Sequence, residues 1–316
     1  MDAADQTILH ALASGDWVSG SALASDLGLS RTALAKRIAH LQQAPCKLPI
    51  HSRHGRGYRL EGGLDLLTQP DGRPQAALQA FKGLKLVQIC ESTNALLQAD
   101  PQTQILLAEF QSAGRGRLNR RWQAPFAQSL LLSLRHRYPV WPAHLPSLGL
   151  VLGIAVVQAL RALDVPARLK WPNDVWLGGR KLAGLLVESR GEALSSCELI
   201  VGLGLNVHLR QAQDIDQPWT SLRREGLLLR RAELGATLIT ALQAALEAFP
   251  HIPLEQQLEP LGQLDACRDR PILVRDVQNS LEGWHAGFGP QGALRLRTAD
   301  GAIREFVVGD VSLRPA

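Results

Sequence analysis

Lys170-Trp171-Pro172-Asn173-Asp174-Val175-Trp176-Leu177, closed by Gly178-Gly179 and followed by Arg180-Lys181-Leu182-Ala183-Gly184-Leu185-Leu186-Val187-Glu188, is the stretch from which the rest of the chain is read. The Trp-Pro pair restricts the backbone and holds a lysine, an asparagine and an aspartate close together. Two glycines make a tight turn into an apolar strand. Lys181 at the start of that strand either turns its charge toward a site or snorkels to water. Taken alone, the stretch is a hairpin with charged ends. Downstream, Leu199 to Val207 reads as a further strand, in which Gly202 and Gly204 permit close approach of a ligand or another backbone. Upstream, the uncharged run from Val140 to Leu160 is broken by Pro142, His144, Pro146 and Ser147. Its apolar part, Leu148 to Val157, falls short of the ~20 residues that cross a bilayer and reads as a buried core helix.

Further toward the N-terminus, Leu84 to Ile89 is a strand that runs into Cys90-Glu91-Ser92-Thr93-Asn94. Ser92, Thr93 and Asn94 open a helix, either as a cap or as donors aimed at a small polar ligand. Ile105 to Phe110 is another strand, ending in Gln111-Ser112-Ala113-Gly114-Arg115-Gly116-Arg117-Leu118-Asn119-Arg120-Arg121-Trp122. Alternating glycine and arginine give a backbone able to fold around a ligand while guanidinium groups neutralise phosphate. Such a loop alone could equally bind RNA or be a solvated turn, and it is not a Walker A loop, since no Gly-Lys-Ser/Thr follows. The set holds no Ser-His-Asp array, no clustered His/Cys ligands and no Rossmann fingerprint. It offers phosphate-binding cations and one carboxylate, Asp174, which suits phosphoryl or nucleotidyl transfer with Asp174 as the residue to hold Mg²⁺.

Residues 1–60 carry seven Lys/Arg against four Asp/Glu, +3 of the chain's net +5, and all seven bases fall in the acid-free gap between Asp26 and Glu61. Ile8, Leu9 and Leu12 begin an apolar helix face, and Ser21 is expected to cap a short helix that Gly28 ends. Ser30 caps the next helix, with Leu34, Ile38 and Leu41 on one buried face. This is a helix-turn-helix, whose exposed face presents Arg31, Thr32, Lys36 and Arg37 to a major groove. Arg53, Arg56 and Arg59 around Gly55 and Gly57 form a basic wing. The bland alternative is a small helical cap with a solvated basic face; the cap, wing and acid-free run together favour DNA. A second acid-free stretch, Phe110 to Leu163, holds seven arginines, so two polyanionic partners are expected.

At 316 residues the chain is long enough for two or three domains, at ~100–200 residues each. An apolar share of 46% with 20% charged residues excludes a disordered or collagenous chain. Four scattered cysteines without a CxxC pair argue against a disulfide framework or zinc site and fit a reducing cytoplasm. The start MDAADQ shows no basic leader with an apolar run, so no signal peptide is expected. Glu61 to Gly63 reads as a linker. From Arg270 onward short strands take over, at Pro271–Val274, Gly283–Phe288, Ala293–Arg297 and Ile303–Val308, with a hairpin signal at Asp300-Gly301.

In this order the helix-turn-helix with its GRGYRL wing, Ser92-Thr93-Asn94, QSAGRGR, KWPND, RKLAGLLVE, GLGLN, QGAL (Gln291–Leu294) and SLR (Ser312–Arg314) resemble the bacterial bifunctional biotin protein ligases, which are also repressors of the biotin operon. The resemblance spans nearly the whole chain. It implies an α+β protein: a winged helix-turn-helix over residues 1–62, a class II synthetase-like mixed sheet with helices over 63–268, and an SH3-like small β-barrel over 269–316. The implied chemistry is attack of the biotin carboxylate on the α-phosphate of ATP with Mg²⁺ present, giving biotinyl-5′-AMP. Biotin then passes to a lysine of the biotin carboxyl carrier protein of acetyl-CoA carboxylase.

By the same resemblance Ser92, Thr93, Asn94 and Gln111 would hold biotin, and Arg115, Gly116 and Arg117 would close over the adenylate. Lys181 would sit at the carboxylate and α-phosphate, with Lys170, Asn173 and Asp174 managing phosphates and metal. Trp219 would stack on adenine, and Asn206 and Arg314 would add peripheral nucleotide contacts. Ser30, Arg31, Thr32, Lys36, Arg37, Arg53 and Arg56 would meet operator DNA, bound as a homodimer that the adenylate promotes. No membrane role is implied, and the location is cytoplasmic. Leu118 and Asn119 stand where an Arg-Gly pair is usual, and Pro125 to Ser129 lacks the usual glycine and asparagine, which bears on adenylate affinity and repression. The competing readings are a biotin-sensing repressor with a degenerate ligase domain and a lipoate-type ligase, which would have no reason to carry a winged helix.

Overall fold

A computed structural model describes the chain except residues 44, 118–119, 192–195, 212–214, 216, 276–279, 308–309 and 314–316. Three helices and a ribbon come first: α1 (Ala3–Leu12), α2 (Gly20–Asp26), α3 (Arg31–Gln42), β1 (Ile50–Arg53) and β2 (Gly57–Leu60). Asp2 and Asp5 form a reciprocal capping box on α1. Ser19, rather than Ser21, caps α2, because the helix begins one residue before Ser21 and only the Ser19 side chain lies in reach of the Ala22 N–H. Ser30 caps α3 as expected, and Leu34, Ile38 and Leu41 are buried. The wing pairs Ile50 with Leu60 and Arg53 with Gly57. A side chain at Gly57, at φ 92°, would run into the Val18 carbonyl, since Val18 bridges to Tyr58 beside it.

The central elements are β3 (Leu84–Cys90), α4 (Thr93–Ala99), β4 (Ile105–Gln111), β5 (Ser129–Tyr138), α5 (Leu148–Arg161), β6 (Arg168–Lys170), β7 (Asp174–Leu177), β8 (Arg180–Arg190), β9 (Cys197–Asn206) and α6 (Arg231–Ala248). The strands form a mixed sheet in the order β3-β4-β5-β9-β8-β7-β6, with β3 and β4 parallel and β4 and β5 antiparallel. The sequence reading assigned no element to Ser129–Tyr138. Leu130, Leu131, Leu132 and Leu134 are all buried, so this strand is covered on both faces and shows no alternation to read. α5 matches the expected core helix, with nine of its residues buried.

Two short helices, α7 (Leu254–Leu258) and α8 (Leu261–Leu264), lead into β10 (Pro271–Arg275), β11 (Ser280–Phe288), β12 (Leu294–Arg297), β13 (Ile303–Phe306) and β14 (Asp310–Leu313). These five make an antiparallel sheet ordered β13-β12-β11-β10-β14. Thr298 N–H and the Ala302 carbonyl close the Asp300-Gly301 hairpin.

By compactness the chain divides into a first unit of Met1–Leu134, Gly204–Gln213 and Ser221–Ala236, and a second of Arg135–Leu203, Asp214–Thr220 and Thr237–Ala316. In the first, the helical core of Ile8, Leu12, Leu34 and Leu41 continues through Leu66 to Phe126 and Ala127. Among the described residues no helix is long and apolar enough to cross a membrane.

Candidate functional site

In the first unit, Ser92 caps α4 and sets Thr93 and Asn94 on its first turn, all three buried. Gln111, at the end of the adjacent β4, accepts at Oε1 from the Thr93 N–H at 2.6 Å and its hydroxyl at 2.9 Å. The Ser133 hydroxyl of β5 lies 2.8 Å from Thr93 Oγ1 and 2.6 Å from Asn94 Oδ1, so one proton serves two acceptors. The structure therefore brings Ser92, Thr93, Asn94 and Gln111 into one cluster and adds Ser133, a residue the sequence reading missed with its strand. A serine in the middle of a leucine run was the available signal.

The segment after Gln111 doubles back on itself. Gly114 O accepts from Trp122 N–H at 2.8 Å, Arg115 bridges to Arg121, and Arg120 O accepts from Gly116 N–H at 2.7 Å. A side chain at Gly114 would come within 2.8 Å of the Trp122 carbonyl. The fold thus carries Arg115, Arg117, Arg120 and Arg121 on one small tongue, while Leu118 and Asn119 lie outside the described residues. The close approach that Gly204 permits is to an indole: a Cβ there would stand 2.5 Å from Trp122 Cε2. Asn206, 4% exposed, accepts at Oδ1 from the Ser129 hydroxyl at 3.5 Å.

In the second unit the quoted stretch folds into β6, β7 and β8. Lys170 stands directly opposite Asp174, and Asp174 opposite Gly184. Strict alternation from Gly184 would send Lys181 to the other face of β8. Between Val175↔Ala183 and Trp176↔Lys181, however, the register shifts by one residue, and the extra Leu182 returns Lys181 to the face of Asp174. Lys181 Nζ lies 2.8 Å from Asp174 Oδ1 and Lys170 Nζ 4.0 Å from Asp174 Oδ2, with all three side chains at least four-fifths buried. Lys170 Nζ also stands 4.9 Å from the centre of the Trp176 ring. Gly184 leaves room for this: a Cβ would approach Lys181 Cε to 3.3 Å. One carboxylate thus orders two ammonium groups on one sheet face, a donor set suited to a phosphate.

Asn173 is tied to β8: its Nδ2 donates to Leu185 O at 2.6 Å, and its carbonyl accepts from Leu185 N–H at 3.0 Å. Trp219 is tied to Lys181 through the backbone, with Lys181 N–H donating to Pro218 O at 3.0 Å and Thr220 N–H to Lys181 O at 2.9 Å. Arg314 lies outside the described residues.

On α3, Arg31, Thr32 and Lys36 are exposed, as are Ser30 and, on the wing, Arg53 and Arg56. Arg37 departs from the expectation. Its guanidinium lies 2.9 Å from Asp2 Oδ2 and 2.8 Å from Asp5 Oδ1, so its charge is engaged by the capping box of α1. The pairing could not be read from α3 alone because its partners lie more than thirty residues away.

Residues 87–206 match the biotin/lipoate A/B protein ligase family and residues 5–59 an HTH domain. The fold and its clustered cations define a protein ligase of that class preceded by a winged helix. Over 318 residues the chain is 36% identical to the bifunctional ligase/repressor BirA of Salmonella typhimurium, covering 98% of this chain and 97% of that protein. It is 35% identical to the BirA of Escherichia coli with the same coverage. Among solved structures, the biotin protein ligase from Aquifex aeolicus in complex with biotin and ATP is similar at a TM-score of 0.65 and 27% identity, covering 75% of this chain and 100% of that one. The chain belongs to the bifunctional ligase/repressor family.

Proposed function

We propose that this protein is an ATP-dependent biotin protein ligase that also represses the biotin operon, with biotinyl-5′-AMP serving as both reaction intermediate and corepressor. The observation that carries the enzymatic reading is the Lys170–Asp174–Lys181 constellation, three charged groups brought to one sheet face by a bulge. A degenerate, purely sensing domain would have no need to keep it. Ser92, Thr93, Asn94 and Gln111 hold biotin, Ser133 orients them, and Arg115, Gly116 and Arg117 close over the adenylate. A biotin carboxylate oxygen bonds to the α-phosphorus as the bond to pyrophosphate breaks. Lys181 and Lys170 offset the charge on the phosphate oxygens, and Trp219 stacks on adenine, with Asn173, Asn206 and Arg314 supporting the nucleotide. The acceptor lysine amine of a biotin carboxyl carrier protein, losing a proton, then attacks the acyl carbon as AMP leaves.

Among the described residues no group of three or more His, Cys, Asp or Glu could hold a metal ion. Mg²⁺ commonly takes only one or two protein carboxylates, and Asp174, between Lys170 and Lys181, is the residue that would meet it beside the phosphates. The division into residues 1–62, 63–268 and 269–316, the SH3-like barrel form of the last, and homodimerisation on the adenylate belong to the same proposal. So does a cytoplasmic location, where operator and carrier protein are found.

Biotin-dependent release of pyrophosphate from ATP by the purified chain is the expected result; release with lipoate but not with biotin overturns the reading. Ser133→Ala should weaken biotin binding about tenfold by unpinning Thr93 and Asn94, measured by titration calorimetry. Replacing Arg31 and Lys36 by Ala should weaken binding to the biotin-gene promoter at least tenfold, roughly the loss of one base or phosphate contact each, in a gel shift with biotin and ATP present. Ligation by that variant should stay within twofold of wild type, and equal loss of both activities would mean misfolding.

A further inference from the structure

Lys170 sits between two residues that are both held by the C-terminal part of the chain. Before it, the Leu169 carbonyl accepts from Ala266 N–H at 2.8 Å, within a parallel bridge of Leu169 to Asp265. Arg168 Nη1 donates to the Asp265 carbonyl at 3.3 Å beside it. After it, Trp171 Nε1 donates to the Gly292 carbonyl at 3.0 Å, a bond buried on both sides.

The turn that offers this carbonyl is built for it. Gln291 and Gly292 are successive left-handed residues, at φ 59° and 75°, and their carbonyls make a fork. The Gln291 carbonyl accepts from the Ser147 hydroxyl at 2.8 Å, at the start of α5. At Gly292 a Cβ would come within 2.4 Å of Leu150 Cδ1, so the turn sits flush against α5. Ser147 caps no N–H of its own helix; its hydroxyl is given to the fork.

We propose that two short pieces of the chain, Asp265-Ala266 and Gln291-Gly292, form a clamp that positions Lys170, with Trp171 and Ser147 as its positioning residues on the catalytic side. The inference rests on reading Lys170 as a phosphate-site cation. A buried ammonium stabilises a phosphate only if its backbone is held where the phosphate will be, since a shift of about 1 Å forfeits much of the gain. Both flanks of Lys170 are fixed by residues before β10 and after β11, in addition to the pairing of its own short strand with β7.

Trp171→Phe keeps the apolar ring and removes the N–H, and Ser147→Ala removes the other arm with little effect on folding. In biotin-dependent pyrophosphate release, Trp171→Phe should raise the KM for ATP about tenfold and Ser147→Ala about threefold. Biotin affinity, measured calorimetrically without ATP, should change less than twofold in both. An ATP KM within twofold of wild type in both variants overturns the clamp, and so does equal weakening of biotin and ATP, which would indicate general loosening. Wild-type protein without biotin-dependent pyrophosphate release would overturn the ligase reading and the clamp with it; an active wild type with unaffected variants overturns the clamp alone.

Discussion

Replacing Lys181 by Ala is expected to lower the rate of adenylate formation by about 10³-fold, some 4 kcal/mol of transition-state stabilisation, with circular dichroism and melting temperature unchanged. The ammonium is pre-placed: Asp174 holds it at 2.8 Å, and the backbone of Lys181 is bonded on both sides to the segment that carries Trp219. Nothing has to reorganise when charge builds on the phosphate oxygens. Removing the side chain leaves Asp174 facing Lys170 at 4.0 Å, so the site loses a positive charge as well as a donor. Lys181→Arg is expected to recover little, because a planar guanidinium fork does not place its donors where a compact ammonium does. Single-turnover pyrophosphate release is the measurement, and a rate within tenfold of wild type would refute the role.

Glu109→Ala is expected to destabilise the protein by about 3–5 kcal/mol, the cost of leaving a buried partner charge uncompensated. Glu109 Oε2 lies 2.5 Å from Arg231 Nη1, and their side chains are 2% and 0% exposed. Its other oxygen accepts from the Leu67 N–H at 2.8 Å. Arg231 in turn donates from Nη1 to the Asp65 carbonyl at 2.7 Å, from Nε to Ser129 O at 3.0 Å, and from its backbone N–H to Asp65 Oδ2 at 2.6 Å. The chain leaving the winged helix is therefore anchored on one buried ion pair, and its loss unseats residues 65–67 together.

Burial alone would raise the carboxyl of Asp65, but hydrogen bonds from His208 and the Arg231 N–H outweigh it and hold the group below its ordinary value. A depressed acid stabilises the fold above its unfolded value of 3.8 and loses that contribution as pH falls through the folded one, so the anchor weakens in acid. Urea unfolding checks the main prediction: the midpoint should fall with the slope preserved, and a loss under 1 kcal/mol would mean that water replaces the glutamate.

Much of this molecule is local and therefore legible. Ser30 with Leu34, Ile38 and Leu41 defines α3 because cap chemistry and helical period act within a few residues. The glycines of the wing, the Gly178-Gly179 turn and the Asp300-Gly301 hairpin report backbone angles that other residues avoid. Ser92 at the head of α4 is of the same kind. The motifs Gly114 to Arg117, Lys170 to Asp174 and Lys181 to Gly184 name the chemistry because they concentrate cations beside flexible or restricted backbone.

What stayed hidden depends on contacts remote in sequence. β5 is buried on both faces, so its leucines show no period, and Ser133 was lost with it. Arg37 looks like its neighbours on α3 until Asp2 and Asp5 fold against it. Gly204 signalled a close approach but could not say that an indole makes it.

By itself the chain of residue types determined which short-range elements form, where the positive charge concentrates and what class of reaction such groups serve, because capping, turn angles and periodicity are decided within a helical turn or two. The tertiary structure alone decided which cations share a face. One inserted residue, Leu182, reverses the side on which Lys181 emerges, and strand pairing, which joins residues far apart in the chain, determines whether such an insertion becomes a bulge.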